Sequence, residues 1–145
     1  MNRRLLRPAV FGLSDGMMSL LGVLLYLLGH QSLIVPAALS GALSSALSMA
    51  GGEWLSDSDS GFGASCVMGV ATGVGSMLPA LPFLVAKGQA AITASVVICL
   101  GIGVVVALMR PNRRPVRALL ETGAVLTVIF AAVLACGLVL PGGGS

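Results

Sequence analysis

The sequence predicts an all-α membrane protein, one bundle of five transmembrane helices. Two observations carry the prediction. Of 145 residues, 57% are hydrophobic and only 9% charged, and the mean hydropathy is +1.03, far outside the range of soluble domains. Five stretches, at about 10–28, 33–55, 62–86, 90–109 and 118–140, also reach the ~20 apolar residues that a spanning helix needs. The segments between them, such as His30–Gln31–Ser32 and Lys87–Gly88–Gln89, are too short to fold alone, so the chain forms a single transmembrane domain, 1–145. A β-barrel is excluded because "ITASVVICLGIGVVVALM" is apolar on both parities, whereas barrel strands alternate.

The first span follows Arg3, Arg4 and Arg7 and holds Asp15. Its apolar core is too long for a cleaved leader, and no small-residue cleavage site follows at once. The second span is uncharged from Leu33 until Glu53 and ends in the turn "DSDSG". The third holds Pro79 and Pro82, which are expected to break or kink it towards its outer end. The fourth is uncharged throughout. The fifth begins beside Arg117 and Glu121, spaced for an intrahelical pair. Cys66, Cys99 and Cys136 fall one to a span without metal or redox spacing and read as small packing residues.

Of the eight cations, only Lys87 lies on the side opposite the two arginine clusters, Arg3, Arg4, Arg7 and Arg110, Arg113, Arg114, Arg117. The positive-inside rule then places the N-terminus and the "DSDS" turn in the cytoplasm and the C-terminus outside. The basic net charge reports topology and not nucleic acid. Glycine is frequent within the spans: Gly12 and Gly16, Gly69 and Gly73, and the run Gly41, Ser44, Ser45, Ser48, Gly52 put small residues on single helical faces, which lets membrane helices approach closely. The Gly12–Gly16 face is the expected contact with a second copy of the chain.

Enzymatic chemistry is not expected. "GVGS" lacks the third glycine and the strand of a nucleotide fingerprint, and the lone His30 is far along the chain from Asp15 and Glu53. No cofactor is called for. The carboxylates inside the spans do need a function, because a charge at the centre of a membrane helix costs about 2.5–3.5 kcal/mol. Met18 follows Asp15 by three residues and Met49 precedes Glu53 by four, so each thioether shares a face with its carboxylate, one turn deeper. Carboxylate oxygen with softer sulfur suits a transition-metal dication such as Fe²⁺ or Mn²⁺ better than Mg²⁺ or Ca²⁺. Asp57 and Asp59 sit among serines in the cytoplasmic turn, either as a solvated loop or as an acidic mouth that gathers cations.

Two motifs carry a family resemblance. "FGLSDGMMSLLG" (11–22) and "ALSMAGGEWLS" (46–56) resemble the first- and second-helix patterns of the vacuolar iron transporter family, which includes yeast-type calcium/manganese cross-complementer proteins and nodulin-21-like proteins. "GVGSMLPALPFL" agrees with that family's proline-bearing third helix, and five spans is its count. The resemblance implies a homodimer in the lipid bilayer that moves Fe²⁺ or Mn²⁺ out of the cytosol by proton antiport, with the path between subunits. It also implies that Asp15, Met49 and Glu53 occupy the family's metal-handling positions. Such a protein lies in the plasma (inner) membrane of a prokaryote or a vacuolar-type membrane of a eukaryote. Plant and parasite members carry a Glu-rich cytoplasmic metal-binding region between helices two and three, where this chain has only "DSDSG". Two other readings compete: a non-transporting interaction subunit in which Asp15 and Glu53 only hold helices together, and a proton-coupled exporter of organic cations, for which 4% aromatic residues is sparse.

Overall fold

The computed structural model describes residues 3–56, 61–109 and 115–139. Among these residues the chain is all-helical: α1 (Arg3–Tyr26), a 3₁₀ turn (Gln31–Leu33), α2 (Ile34–Ser56), α3 (Gly61–Met77), a 3₁₀ turn (Leu78–Ala80), α4 (Pro82–Val85), α5 (Gln89–Met109) and α6 (Pro115–Val139). Four stretches are long and apolar enough to cross a membrane: Leu5–Tyr26, Gln31–Ser56, Gly61–Val85 and Gln89–Met109. The protein is an integral membrane protein. Helix α6 covers most of the fifth predicted span.

Hydropathy located the helices but not all of their ends. α1 begins seven residues before the predicted 10–28 because Arg3, Arg4 and Arg7 are good helix formers that the apolar count leaves out. Pro8 lies within it and cannot donate to the Arg4 carbonyl. The third predicted span is broken where the prolines stand. Neither Pro79 nor Pro82 has an N–H, so helix gives way to the 3₁₀ turn and the short α4. A buried bond fixes this break: Ser95 Oγ on α5 donates to the Pro79 carbonyl at 2.6 Å.

α3 lies at the centre, with α1 and α2 packed along it. The α1–α3 seam is a glycine contact. A Cβ on Gly12 would strike the Met68 carbonyl and come within 2.9 Å of Thr72 Oγ1; one on Gly16 would strike the Thr72 carbonyl; one on Gly75 would strike the Leu13 carbonyl. Across the same seam Ser76 Oγ donates to the Gly16 carbonyl at 3.1 Å. The Gly12–Gly16 face, expected to meet a second copy, is therefore filled within the chain, because the small side chains of α3 let the backbones of the two helices meet. On the other side of α3, a Cβ on Gly69 would lie 2.7 Å from the Ala46 carbonyl and 2.8 Å from Ala50 Cβ, which brings α2 in almost as close.

Two apolar clusters complete the packing. Leu20 and Leu24 of α1 meet Ile34 and Ala38 of α2 and Ala80. Met17 meets Cys99, Ile102 and Val106 of α5. Cys99 packs as expected, whereas Cys66 is exposed; both are free thiols, and the side chain of Cys136 lies outside the described residues. Many large apolar side chains face outward, among them Leu39, Leu43 and Leu47 of α2 and Val97, Leu100 and Val104 of α5. That surface suits lipid and not water. Away from α3, the two short connections are tied together: the Gly88 N–H donates to Gln31 Oε1 at 2.7 Å, with Gly88 at φ +68° making a turn that a side chain would strain.

Candidate cation path

Asp15 lies on a stripe of α1 with Phe11, Ser19, Gly22 and Tyr26, the residues that recur every three to four positions. This stripe turns away from the α3 seam. Phe11 is 56% and Tyr26 67% exposed, Ser19 is exposed, and Asp15 is half-buried. The first carboxylate thus sits, half-buried, on a face of α1 turned away from α3, and α6 also packs against α1. Met18 is half-buried against the cluster of Met17, Cys99, Ile102 and Val106, so its thioether helps seat α1 on α5.

Glu53 follows Ala46 by seven residues and Ala50 by three, which places it on the stripe that α2 turns to α3. Met49 is one turn earlier on α2, and both are half-buried. α3 serves as a ruler for depth. Gly16 lies against Thr72 and Ser76, whereas Ala50 lies against Gly69 and Glu53 comes a turn later. Asp15 is therefore roughly two turns, about 10 Å, further into the bundle than Glu53. Packing against α3, and not a count from the helix ends, sets this register.

Among the described residues, neither carboxylate makes an ion pair or hydrogen bond through its side chain. Among the described residues, no group of three or more His, Cys, Asp and Glu gathers there either. The structure thus supplies two separate carboxylates, one lining the α2–α3 groove and one on an outward face, and does not join them into one closed site. Asp57 and Asp59 lie outside the described residues. An edge-to-face contact of Trp54 and Phe62, ring centroids 5.6 Å apart, clamps the end of α2 to the start of α3. Arg117 Nε and Glu121 Oε1 pair at 3.4 Å as their spacing predicts.

The sequence reading missed the hydroxyls of α3. Ser65, Thr72 and Ser76 are all buried, and their spacing of seven and then four residues puts them on one face. Thr72 Oγ1 donates to the Met68 carbonyl at 2.9 Å and Ser76 Oγ to Gly16. Polar residues at helical spacing inside an apolar span were the available signal.

No curated protein and no solved structure matches the chain. Residues 6–61 match the sequence model of the VIT family. That stretch holds α1 from Leu6, all of α2, the candidate cation ligands Asp15, Met18, Met49 and Glu53, and the candidate acidic mouth, Asp57 and Asp59. Over this segment, somewhat more than a third of its length, the chain is similar to the VIT family.

Proposed function

We propose that the protein is a proton-coupled transporter that moves Fe²⁺ or Mn²⁺ out of the cytosol, acting as a symmetric dimer of five-span subunits with cytoplasmic N-termini. The observation that carries this reading is Asp15: a carboxylate on the outward, otherwise mostly apolar stripe of a spanning helix, inside the segment that matches the VIT family. A lone carboxylate facing lipid is costly. Two of them, brought together by a two-fold axis along α1, instead face each other and offset the charge of a dication.

Glu53 and Met49 then form the cytoplasmic approach, with Asp57 and Asp59 at its mouth. Cations reach Glu53 first and Asp15 about two turns deeper. Coupling follows from shared oxygens. A carboxylate that holds a proton does not hold the metal as well, so metal arriving from the cytosol releases protons, and protons arriving from the other side release metal. The interaction-subunit reading needs Asp15 and Glu53 to hold helices together, yet the α1–α3 seam is built from glycines and serine, without either carboxylate.

The direct test is flux of Fe²⁺ and of Mn²⁺ into proteoliposomes under an imposed pH gradient, with proton movement followed in parallel. Metal uptake that is indifferent to the gradient removes the coupling; no uptake removes the function. Orientation is checked separately by thiol labelling of single cysteines placed at Ser32, Ser58 and Ser145 in a cysteine-free background. Ser32 and Ser145 should react from outside and Ser58 from inside.

A further inference from the structure

Ser65 is 3% exposed, and its Oγ is the one buried side-chain polar atom without a hydrogen-bond partner among the described residues. The other hydroxyls buried in α3 and α5 behave differently: Thr72, Ser76 and Ser95 each donate to a carbonyl. A helical serine commonly bonds the carbonyl four residues back, which here is that of Gly61, and Ser65 does not. A hydroxyl removed from water and left unpaired is destabilising, and such a group in a native fold calls for a missing partner.

Register indicates what that partner is. α2 and α3 run antiparallel, with Ala50 against Gly69 and Ala46 against Gly69 and Gly73. The next positions on the two facing stripes, towards the 57–60 turn, are Glu53 on α2 and Ser65 on α3. The register therefore puts Ser65 on α3 opposite Glu53 on α2. Ser65 is also four residues before Gly69 and seven before Thr72, which places it at the side of α3 shared by α1 and α2, where bulk water does not reach.

Resting on the transport reading above, we propose that Ser65 supplies a neutral oxygen ligand to the cation that Glu53 receives, making these two residues an entry site distinct from Asp15. The carboxylate brings the charge. The hydroxyl brings lone pairs that its neighbours do not use. Two oxygen donors suit Mn²⁺ or Fe²⁺, and Met49, one turn deeper, offers the softer atom for the next step. Glu53 has no other polar partner among the described residues to hold it in a single geometry, so the pair is completed by the ion and not beforehand.

The test compares wild type, Ser65→Ala and Ser65→Thr, with Mn²⁺ alone as the probe. KM and maximal rate are read from flux into proteoliposomes, and the Mn²⁺-induced rise in Tm from purified protein. Ser65→Ala should raise KM about tenfold, the scale of lost supporting contacts at metal sites, with the maximal rate little changed. Its metal-free Tm should equal or exceed the wild-type value, since an unpaired hydroxyl is removed, and its Mn²⁺-induced rise should shrink. Ser65→Thr keeps the hydroxyl and should restore KM. A wild-type KM and Tm response in Ser65→Ala overturns the assignment, as does a lowered metal-free Tm that Ser65→Thr fails to correct, which marks a packing role. A wild-type protein that neither carries Mn²⁺ nor responds to it overturns the transport reading itself, and Ser65 with it.

Discussion

Gly12 and Gly16 of α1 read in the sequence much like Gly41 and Gly52 of α2: small residues in apolar helices, placed to let another backbone approach. Their surroundings differ completely. The first two are buried, with backbone atoms of α3 standing where a side chain would go. Gly41 and Gly52 are exposed and have nothing within 4 Å of an added Cβ; Ser44 and Ser48 between them are exposed too. Small-residue spacing thus reports that a close contact is permitted, while the partner depends on which neighbouring helix also presents small side chains. α3, with Gly75, Thr72 and Ser76, is that neighbour for α1.

The largest expected effect lies at the closed seam. Gly16→Leu places a branched side chain against the Thr72 carbonyl and the Ser76 N–H, with backbone on both counts and no flexible atom to yield. The helices must separate, and the Ser76–Gly16 bond is lost with them. Loss of the folded protein is expected, read as aggregation on size-exclusion chromatography. Gly16→Ala should retain the fold but lower its stability by roughly 1–3 kcal/mol, the usual cost of overpacking. A Gly16→Leu protein as stable as wild type would show that the seam is not a close contact.

The outward face of α1 should respond in the opposite way, losing activity and keeping the fold. Asp15→Asn preserves shape and hydrogen-bonding capacity while removing the titrating charge. Since Asp15 takes no part in the seam, its melting temperature should stay near wild type, while Mn²⁺ flux and metal-driven proton movement fall by at least about tenfold, the equivalent of ~1.4 kcal/mol. Flux at the wild-type rate with an unchanged pH profile would make Asp15 a bystander. Met49→Leu should be milder: it keeps the volume and loses the sulfur, so transport of Fe²⁺ or Mn²⁺ weakens several-fold with less than ~1.5 kcal/mol of destabilisation.

Much of this was legible in the chain because each signal was local. Runs of apolar residues located the helices, prolines located the break at 78–80, and "SMAGGEW" placed Met49 and Glu53 one turn apart on α2. What escaped were relations between helices. The depth of Asp15 relative to Glu53 depends on where Gly16 and Ala50 lock against α3, and no single helix contains that register. The same holds for Met18, which reads as a ligand beside Asp15 but packs towards Cys99 and Val106. Ser65 was passed over because serine in a membrane helix usually bonds its own backbone; only its missing partner sets it apart.

The smallest effect tests the open side of the comparison. At Gly41 an alanine meets nothing, so no steric cost offsets the helix preference of alanine over glycine, up to about 1 kcal/mol. Gly41→Ala and Gly52→Ala should therefore leave each chain as stable as wild type or slightly more so, where Gly16→Ala loses stability. Measured in the same bilayer, this pairing of substitutions isolates packing, because the residue change is identical and only the neighbour differs. The dimer supplies a sharper reading. If the two-fold axis runs along α1, where Asp15 lies, crosslinking between copies should persist unchanged in Gly41→Ala and Gly41→Leu. If instead Gly41→Leu abolishes crosslinking while the monomer stays folded, a second copy closes the α2 stripe as α3 closes that of α1, and the two carboxylates of a dimer are not brought face to face by α1.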